Sequence, residues 1–526
     1  MMRRSAPALM LAAAAALAAA DGAGQRWWSY VEALANDRMQ GRETGSPTHR
    51  QAADYIAAQF ERDGLQAAGT QGFIQPVAFH GRKLVESEST LDLVRNGKVE
   101  RLKSGEDAFI GVRVDPAESV EAPLVFAGYG LTVPENHYDD LAGLDLRGKI
   151  IVTLAGSPSG IPGPLKAHYQ TATERAPFLR KAGVIGTVTI QNPHTADLPW
   201  SRSSLARFQE SMALADPALE DNRDLKLAVT VNPDHADKWL AGSGHTLAEL
   251  LALSDAGKPL PRFPLTATLR AKVKVARREI QSQNVVASYS GVDPALRNEY
   301  VVLSAHMDHL GVGEPINGDR IYNGAMDNAS GVATLLDLAA TLHETKARPR
   351  RSLLFVVVTG EEKGLQGSRY FAAHPTVDAK SLVADINVDM FLPIYPFRLA
   401  TVHGLKESDL GDAVRKAAQS VGVQIQDDPA PERNVFIRSD QYNFIRDGIP
   451  ALKIDNGYRK GSKEEQIQKA WLSQRYHAPS DDLEQPVDLE AAAGYNRLIL
   501  ALATAVANDN VRPQWKSDSF FRRFAR

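Results

Sequence analysis

The sequence predicts an α/β protein with a mainly β insertion, and three observations lead to this prediction. From about Asn284 onward, apolar strand-like runs alternate with helical patterns, which is typical of a sheet flanked by helices. Between about 121 and 270 the apolar runs are short and bounded by Gly, Pro and Asn, as in a mainly β domain. The chain of 526 residues, 44% hydrophobic and 23% charged, is long enough for more than one globular domain.

The N-terminus has the pattern of a secretory signal peptide at residues 1–20. Arg3 and Arg4 precede an apolar run at 6–20, which ends in small residues before Asp21 and is too short to span a bilayer comfortably. The alternative, an alanine-rich helix of the mature protein, would need a polar face that this run lacks. We therefore expect a periplasmic or secreted protein, without stable membrane insertion after cleavage of the signal.

Composition excludes several classes of protein. The chain has no cysteine, so disulfides and thiolate metal ligands are excluded. Its net charge of -3 gives no basic surface for nucleic acid, and no nucleic-acid partner is predicted. No oligomeric state is predicted. After the signal we expect these segments: an N-terminal segment at 21–120, the β insertion at 121–270, the α/β core at 271–510 and a loose C-terminal tail at 511–526.

Three apolar runs of the α/β core end in residues that can bind metal. "EYVVLSA" leads into His306 and Asp308, "SLLFVVVTG" leads into Glu361 and Glu362, and "LVADINV" leads into Asp389. A single polar residue after a strand is usually a turn or capping residue. In open α/β sheets, however, ligands bind beyond the carboxyl ends of the strands. Three such strand ends together predict a functional site at that edge.

Two further segments join this set. Asp327 stands just before a helical pattern, and Asn328 or Ser330 could cap that helix, which leaves Asp327 available for another role. His477 lies in the loop "RYHAPSDD". Imidazole and carboxylate bind Zn²⁺ where thiolates are absent. The set is larger than one tetrahedral zinc needs and suits two ions bridged by a carboxylate and a water.

The motifs together resemble the co-catalytic dizinc aminopeptidases of metallopeptidase family 28. They are "SAHMDHLG", "NGAMDNASGVA", "TGEEKGLQGSRYF", "INVDMF" and "YHAPSDD", in this order. "GRETGSPTHRQAADYIAAQF" resembles the family's N-terminal segment, and the β insertion resembles the protease-associated domain inserted in many members. The resemblance implies a mixed central sheet flanked by helices, an aminopeptidase activity on peptide substrates and two Zn²⁺ ions per chain.

The resemblance also implies a role for each candidate residue. The metal ligands would be His306 on one ion, Asp327 as the bridge, Glu362 and Asp389 as terminal ligands on opposite ions, and His477 on the second ion. Three other residues would act in catalysis. Glu361 matches the general base, Asp308 matches the carboxylate that holds the His306 imidazole, and Tyr476 resembles a tyrosine that donates to the oxyanion.

Alternatives remain open at this point. The same fold could carry carboxypeptidase, dipeptide-releasing or glutaminyl cyclase-like activity, or hydrolyse non-peptide amides. A non-catalytic binding homologue is disfavoured because all ligands and the glutamate base are present. The other histidines of the core are expected at the surface: His309, His343, His374 and His403. Ser439 and Asp440 are expected to begin a helix, with a supporting role near the site left open.

Overall fold

The computed structural model describes residues 22–221 and 224–526, which form two compact units. The first contains the described residues up to Ala78 and those from Gln281 onward, and the second contains Phe79–Ile280. The predicted signal peptide lies outside the described residues. Export therefore stays a prediction, which N-terminal sequencing of the mature protein would test.

The strands are numbered in chain order. They are β1 Gln66–Ala67, β2 Ile74–Leu84, β3 Thr90–Arg95, β4 Lys98–Arg101, β5 Ala108–Gly111, β6 Ser119–Ala127, β7 Thr132–Val133, β8 Tyr138–Asp139, β9 Ile150–Leu154, β10 Gly186–Ile190, β11 Ser211–Leu214, β12 Leu227–Val231, β13 Arg262–Lys272, β14 Val275–Tyr289, β15 Tyr300–His306, β16 Gly311–Ile316, β17 Asp319–Tyr322, β18 Ser352–Val358, β19 Leu382–Asn387, β20 Leu399–His403, β21 Gln424–Gln426 and β22 Ala451–Asn456.

The helices follow the same numbering. They are α1 22–35, α2 Pro47–Arg62, α3 Gly163–Gln170, α4 Ala172–Ala182, α5 Trp200–Ser203, α6 Asp237–Leu240, α7 Leu247–Asp255, α8 Ser330–Thr345, α9 Gln366–Ala373, α10 Leu410–Val421, α11 Gln441–Arg446, α12 Lys463–Gln474 and α13 Leu489–Asn508. No helix of the described chain is both long and apolar enough to cross a membrane.

The first unit is built on a mixed sheet, as predicted. Its strand order is β2-β14-β18-β15-β19-β22-β20-β21. The central strands β18, β15, β19 and β22 are parallel, whereas β14 and β20 run antiparallel to their neighbours β18 and β22. Parallel central strands bring their carboxyl ends to one edge, and this edge carries the candidate site.

Both faces of this sheet are covered by helices. Along β18, Leu353, Phe355 and Val357 face one core that also holds apolar residues of α1, α2, α8, α10 and α13. The alternate residues Leu354, Val356 and Val358 face a second core with Phe371 of α9 and Phe444 of α11. Successive strand side chains point to opposite faces, so a strand covered on both sides reads as a continuous apolar run. This explains the apolar runs of the α/β core.

The second unit has its own mixed sheet, with strand order β4-β3-β13-β6-β9-β10-β12-β5. Strands β6, β9, β10 and β12 are parallel to their neighbours in this series, and α3–α7 belong to the same unit. The unit begins earlier than the predicted insertion at 121–270 because β3 pairs with β13 and β5 pairs with β12. Its assignment to a protease-associated domain stays a prediction.

The C-terminal segment is not the loose tail that the sequence suggested. Phe521 is fully buried and Trp515 is 7% exposed. The Phe521 ring packs edge-on against Phe436 with ring centroids 5.3 Å apart, and Trp515 Nε1 donates to the Gly448 carbonyl. The C-terminal segment is therefore packed into the first unit through Trp515 and Phe521.

Candidate active site

The candidate site lies where the central parallel strands end. His306 is the last residue of β15, Glu361 and Glu362 follow β18 after a short connection, and Asp389 follows β19. Asp327 comes from the turn before α8, and His477 from the loop after α12. The structure thus brings the predicted metal-ligating residues to one place, with His306, Glu362 and Asp389 at or after strand ends and Asp327 and His477 in other segments.

The first cluster consists of His306, Asp327 and Asp389, all buried. His306 Nε2 lies 3.3 Å from Asp327 Oδ1 and 3.3 Å from Asp389 Oδ1. With zinc bonds of about 2.0–2.1 Å, two ligand atoms of a tetrahedral site stand about 3.3–3.4 Å apart. These side chains have the chemistry and the spacing to hold one zinc ion.

The second cluster contains His477 and Glu362, and it shares Asp327. His477 Nε2 lies 3.2 Å from Asp327 Oδ2 and 3.2 Å from Glu362 Oε2. Asp327 therefore presents one carboxylate oxygen to each histidine. This is the arrangement expected of a carboxylate that bridges two ions.

Asp481, in the segment "YHAPSDD", accepts hydrogen bonds from the backbone at Asp327. The Met326 amide donates to Asp481 Oδ1 at 2.9 Å, and the Asp327 amide donates to Asp481 Oδ2 at 3.0 Å. The N-cap residue of α8 is Ala329, which makes no side-chain cap bond, but Asn328 Oδ1 accepts from the Gly331 amide in the first turn at 3.0 Å. Asp481 therefore fixes the backbone on which the Asp327 carboxylate is mounted. No role for Asp481 was predicted from the sequence.

The two adjacent glutamates sit in a turn, and their environments differ. Gly360 before them has a left-handed φ of +67°, and the amides of Gly364 and Leu365 close the turn on the Glu361 carbonyl. Burial raises the pKa of Glu361 well above its ordinary value, and nearby Glu362 adds to this. Burial acts the same way on Glu362, but His477 and His309 hold its pKa well below the ordinary value. The two neighbouring acids therefore have opposite pKa shifts, because only Glu362 lies against two histidines.

Asp308 differs from its predicted role. His306 Nδ1 faces the main-chain carbonyl of Asp308 at 3.1 Å, whereas the nearest Asp308 carboxylate oxygen is 3.9 Å away. The carboxylate instead accepts from the amides of Glu361 at 3.2 Å and Glu362 at 3.4 Å. Asp308 therefore orients the imidazole through its backbone and fixes the glutamate turn through its side chain.

His309 was expected at the surface and is fully buried. Its Nδ1 lies 2.7 Å from Glu362 Oε1, so the two oxygens of Glu362 face two different histidines, His309 and His477. Ligand atoms of His309, Asp327 and Glu362 also lie within 4.8 Å of one another. The available signal was its position only three residues after His306, at the same strand end.

Of the three remaining histidines, two lie as expected and one does not. His343 and His374 are exposed as expected. His403 is buried instead, with Nε2 2.8 Å from Asp455 Oδ2 and Nδ1 3.3 Å from Asp428 Oδ2. An imidazole at the end of β20 is thus used as an internal partner for two carboxylates.

Tyr476 and Asp440 border the cluster. Tyr476 lines the same pocket as Asp327, Glu361 and His477, and its ring lies 4.0 Å from the His477 ring. Burial raises the pKa of its phenol well above the ordinary value, so it stays an O–H donor. Asp440 precedes α11, is fully buried and accepts from Ser368 Oγ at 2.5 Å; burial raises its pKa to about 7.

Residues 42–44 contact the loops that carry the site residues. The buried guanidinium of Arg42 donates to the carbonyls of Met307 at 2.9 Å, Asn323 at 2.8 Å and Gly324 at 2.9 Å. Thr44 Oγ1 donates to Asp308 Oδ2 at 2.9 Å, and Glu43 pairs with Lys363 Nζ at 3.1 Å. Arg42 and Thr44 thus both brace the loop at Met307 and Asp308, Arg42 also braces the segment before Asp327, and Glu43 contacts Lys363 beside the two glutamates.

Thr44→Val is expected to weaken zinc binding about 10–100-fold, the usual cost of losing a group that orients a metal ligand. Valine keeps the shape of threonine but leaves Asp308 Oδ2 without its hydroxyl donor, which loosens the carboxylate that holds the glutamate turn. Competition with a chelator measures the affinity. Thr345→Val, at an exposed position of α8, is the control. Equal affinities for both variants would contradict a bracing role for Thr44.

Comparison with known proteins gives a family match and several relatives. The model of peptidase family M28 matches residues 284–503. Among curated proteins, probable leucine aminopeptidase 2 of Aspergillus oryzae is 28% identical over 212 residues, which cover 38% of this chain and 40% of that protein. Aminopeptidase Y of Saccharomyces cerevisiae is 27% identical over 212 residues, covering 39% of this chain and 35% of that protein. The chain thus spans less than half the length of these relatives.

A solved structure shares the fold over most of the chain. The aminopeptidase from Aneurinibacillus sp. strain AM-1 superposes with a TM-score of 0.55 and 21% identity, covering 91% of this chain and 92% of that chain. At this identity the similarity concerns the fold alone.

Proposed function

Through residues 284–503 this chain belongs to peptidase family M28, and from this premise and the site geometry we propose that it is a zinc-dependent aminopeptidase. The observation that carries the proposal is the position of Asp327. Its two carboxylate oxygens lie 3.3 Å and 3.2 Å from the Nε2 atoms of His306 and His477. A side chain placed in this way suits two ions rather than one.

The chain's own residues would hold two Zn²⁺ ions. His306 and Asp389 would bind the first ion, Glu362 and His477 the second, and Asp327 both. When bound, the ions supply Lewis-acid chemistry that acidifies a water and polarises the scissile carbonyl. His309 would act on Glu362 rather than replace His477, because the second oxygen of Asp327 faces His477.

Glu361 would carry the proton of the reaction. Its raised pKa favours uptake of a proton from the attacking water. Glu361 would then pass this proton to the leaving amine. Glu362, whose pKa is held low, would remain an anionic ligand. Tyr476 would donate its O–H to the developing oxyanion, as a phenol that stays protonated can.

Substrates would be peptides with a free N-terminus. This part of the proposal rests on the family match and on two relatives that are named as aminopeptidases. A panel that offers each peptide with a free N-terminus, an acetylated N-terminus and an amidated C-terminus tests it. We expect release of the N-terminal residue from the free and amidated peptides and no reaction on the acetylated form.

Other products would favour a different activity of the same fold. Release of the C-terminal residue from acetylated peptides would indicate a carboxypeptidase. Release of dipeptides, or cyclisation of an N-terminal glutamine without hydrolysis, would equally contradict the proposal. Metal analysis of the same preparation should give two zinc ions per chain.

A further inference from the structure

We propose that the pocket next to the metal-ligand clusters binds a substrate carboxylate through Lys453, with Arg433 and Arg438 adding positive charge to the same pocket. The inference rests on the proposed peptidase function and specifies its substrates. The carboxylate would belong either to an acidic side chain of the substrate or to the C-terminus of a short peptide.

The pocket includes residues of the candidate site in its lining, namely Asp327, Glu361 and Asp389. Apolar side chains of its wall are Met390, Leu392, Val435 and Leu472. Lys453, Arg433 and Arg438 supply positive charge, and Asp455 lines the pocket beside Lys453. A substrate lying in this pocket would contact both the metal-ligating carboxylates and these cations.

Lys453 is placed at the same sheet edge as the metal ligands. It lies in β22, in register with Asn387 at the end of β19, and Asp389 follows two residues later. Its side chain is 5% exposed. Charged side chains are seldom buried unless they have a partner. Lys453 has such a partner in Asp455, and it places an ammonium in the wall of the pocket near Asp389.

The Lys453 ammonium has spare hydrogen-bonding capacity. Among the described residues its one acceptor is Asp455 Oδ1, at 2.5 Å. An ammonium has further N–H donors, and a buried donor without an acceptor is unfavourable. The pocket is where water or substrate can supply those acceptors.

The partner of Lys453 is already engaged on both oxygens. Asp455 Oδ1 accepts from Lys453, and Oδ2 lies 2.8 Å from His403 Nε2. Burial lowers the pKa of Lys453, but Asp455 and Asp389 more than compensate, so the group stays an ammonium. Asp455 therefore serves to keep Lys453 charged and is poorly placed to bind the free amine of a substrate.

Arg433 and Arg438 add positive charge to the pocket. Both belong to the segment between β21 and α11 and line the pocket with Lys453. Near these cations a free α-amine would be repelled. A carboxylate would gain a charge-assisted hydrogen bond from the Lys453 ammonium, which is stronger than a neutral one. The inferred ligand is therefore an anionic group of the substrate.

Two matched substrate pairs separate the two sources of the carboxylate. The first pair is Glu-Ala-Ala-amide and Gln-Ala-Ala-amide, which differ in the side-chain carboxylate. The second is Leu-Ala and Leu-Ala-amide, which differ in the terminal carboxylate. In one of the pairs the wild-type chain is expected to prefer the carboxylate member about 10-fold or more in kcat/KM, the scale of a hydrogen bond to a charged group.

Lys453→Met is expected to reduce that preference to about 3-fold or less, and Lys453→Arg to restore part of it. Lys416→Met, an exposed lysine of α10, is the matched control and should keep the wild-type preference. Wild-type preferences of about 3-fold or less in both pairs would refute the inference. So would a Lys453→Met variant that slows both members of the preferred pair equally.

Measurements of peptide binding test the role of Lys453 without relying on turnover. Calorimetric titration of Glu361→Gln with the same four peptides gives the ratio of the Kd values in each pair. If no peptide is hydrolysed by the wild type, the proposed aminopeptidase function is refuted, and the Kd ratio still decides on Lys453. A ratio that disappears in the Glu361→Gln/Lys453→Met double variant supports the inference, and a ratio that persists overturns it.

Discussion

Replacement of Glu361 by glutamine is expected to lower kcat about 10²–10⁴-fold, the range of general acid–base catalysis, while the chain keeps its zinc. Glutamine preserves the shape of the side chain but cannot carry the proton. The proposed metal contacts involve the neighbouring side chain of Glu362 and not that of Glu361. The turn should also survive, because it is held by the backbone amides of both residues.

The adjacent glutamate provides the control. Glu362→Gln should lose one zinc ion per chain, since it removes a charged oxygen from the cluster with Asp327 and His477. Metal analysis and steady-state kinetics of the two variants side by side separate a proton carrier from a ligand. Near-full activity of Glu361→Gln would show that another group carries the proton. Loss of zinc from Glu361→Gln would show that the two roles are exchanged or shared.

Asp327→Asn is expected to leave one zinc ion or none per chain and to lower kcat/KM at least about 100-fold. The amide keeps one oxygen and replaces the other by an NH₂ group, which cannot bind zinc. Because each oxygen faces a different histidine, both halves of the site depend on this one side chain. The change also removes the negative charge that would be shared by two cations.

Single-histidine variants give the comparison for this result. His306→Ala and His477→Ala each disturb one cluster, so each should keep more zinc than Asp327→Asn. Asp54→Asn, at an exposed position of α2, controls for the loss of a carboxylate as such. Two zinc ions retained by Asp327→Asn after dialysis would disprove the bridging role.

The site residues that end buried strands could be predicted from the sequence, because a buried strand leaves an apolar pattern. A buried strand must be apolar, so a carboxylate or imidazole at its end stands out, as with His306 and Asp389. Parallel strands then bring those ends together. His477 and Asp327 lie outside strands, and it was the motifs resembling the family that connected them to the set.

The sequence was uninformative where a role depends on distant contacts. His309 is polar and close to other polar residues, and only the fold shows that it is buried against Glu362. Thr44 contacts a carboxylate that is 264 positions away along the chain. The second unit begins at Phe79 because of strand pairings that no local pattern reveals. Such contacts follow from the topology rather than from periodicity.

The contacts of residues 42–44 mean that the candidate site is discontinuous along the chain. The family match covers 284–503, yet Arg42 and Thr44 contact the loops of His306, Asp308 and Asp327 from far outside it. A fragment cut at the limits of the match would expose Asp308 Oδ2 and the carbonyls of Met307 and Gly324. The smallest fragment with a complete candidate site therefore needs residues 42–44 as well as the matched range, and its boundaries follow from contacts in space.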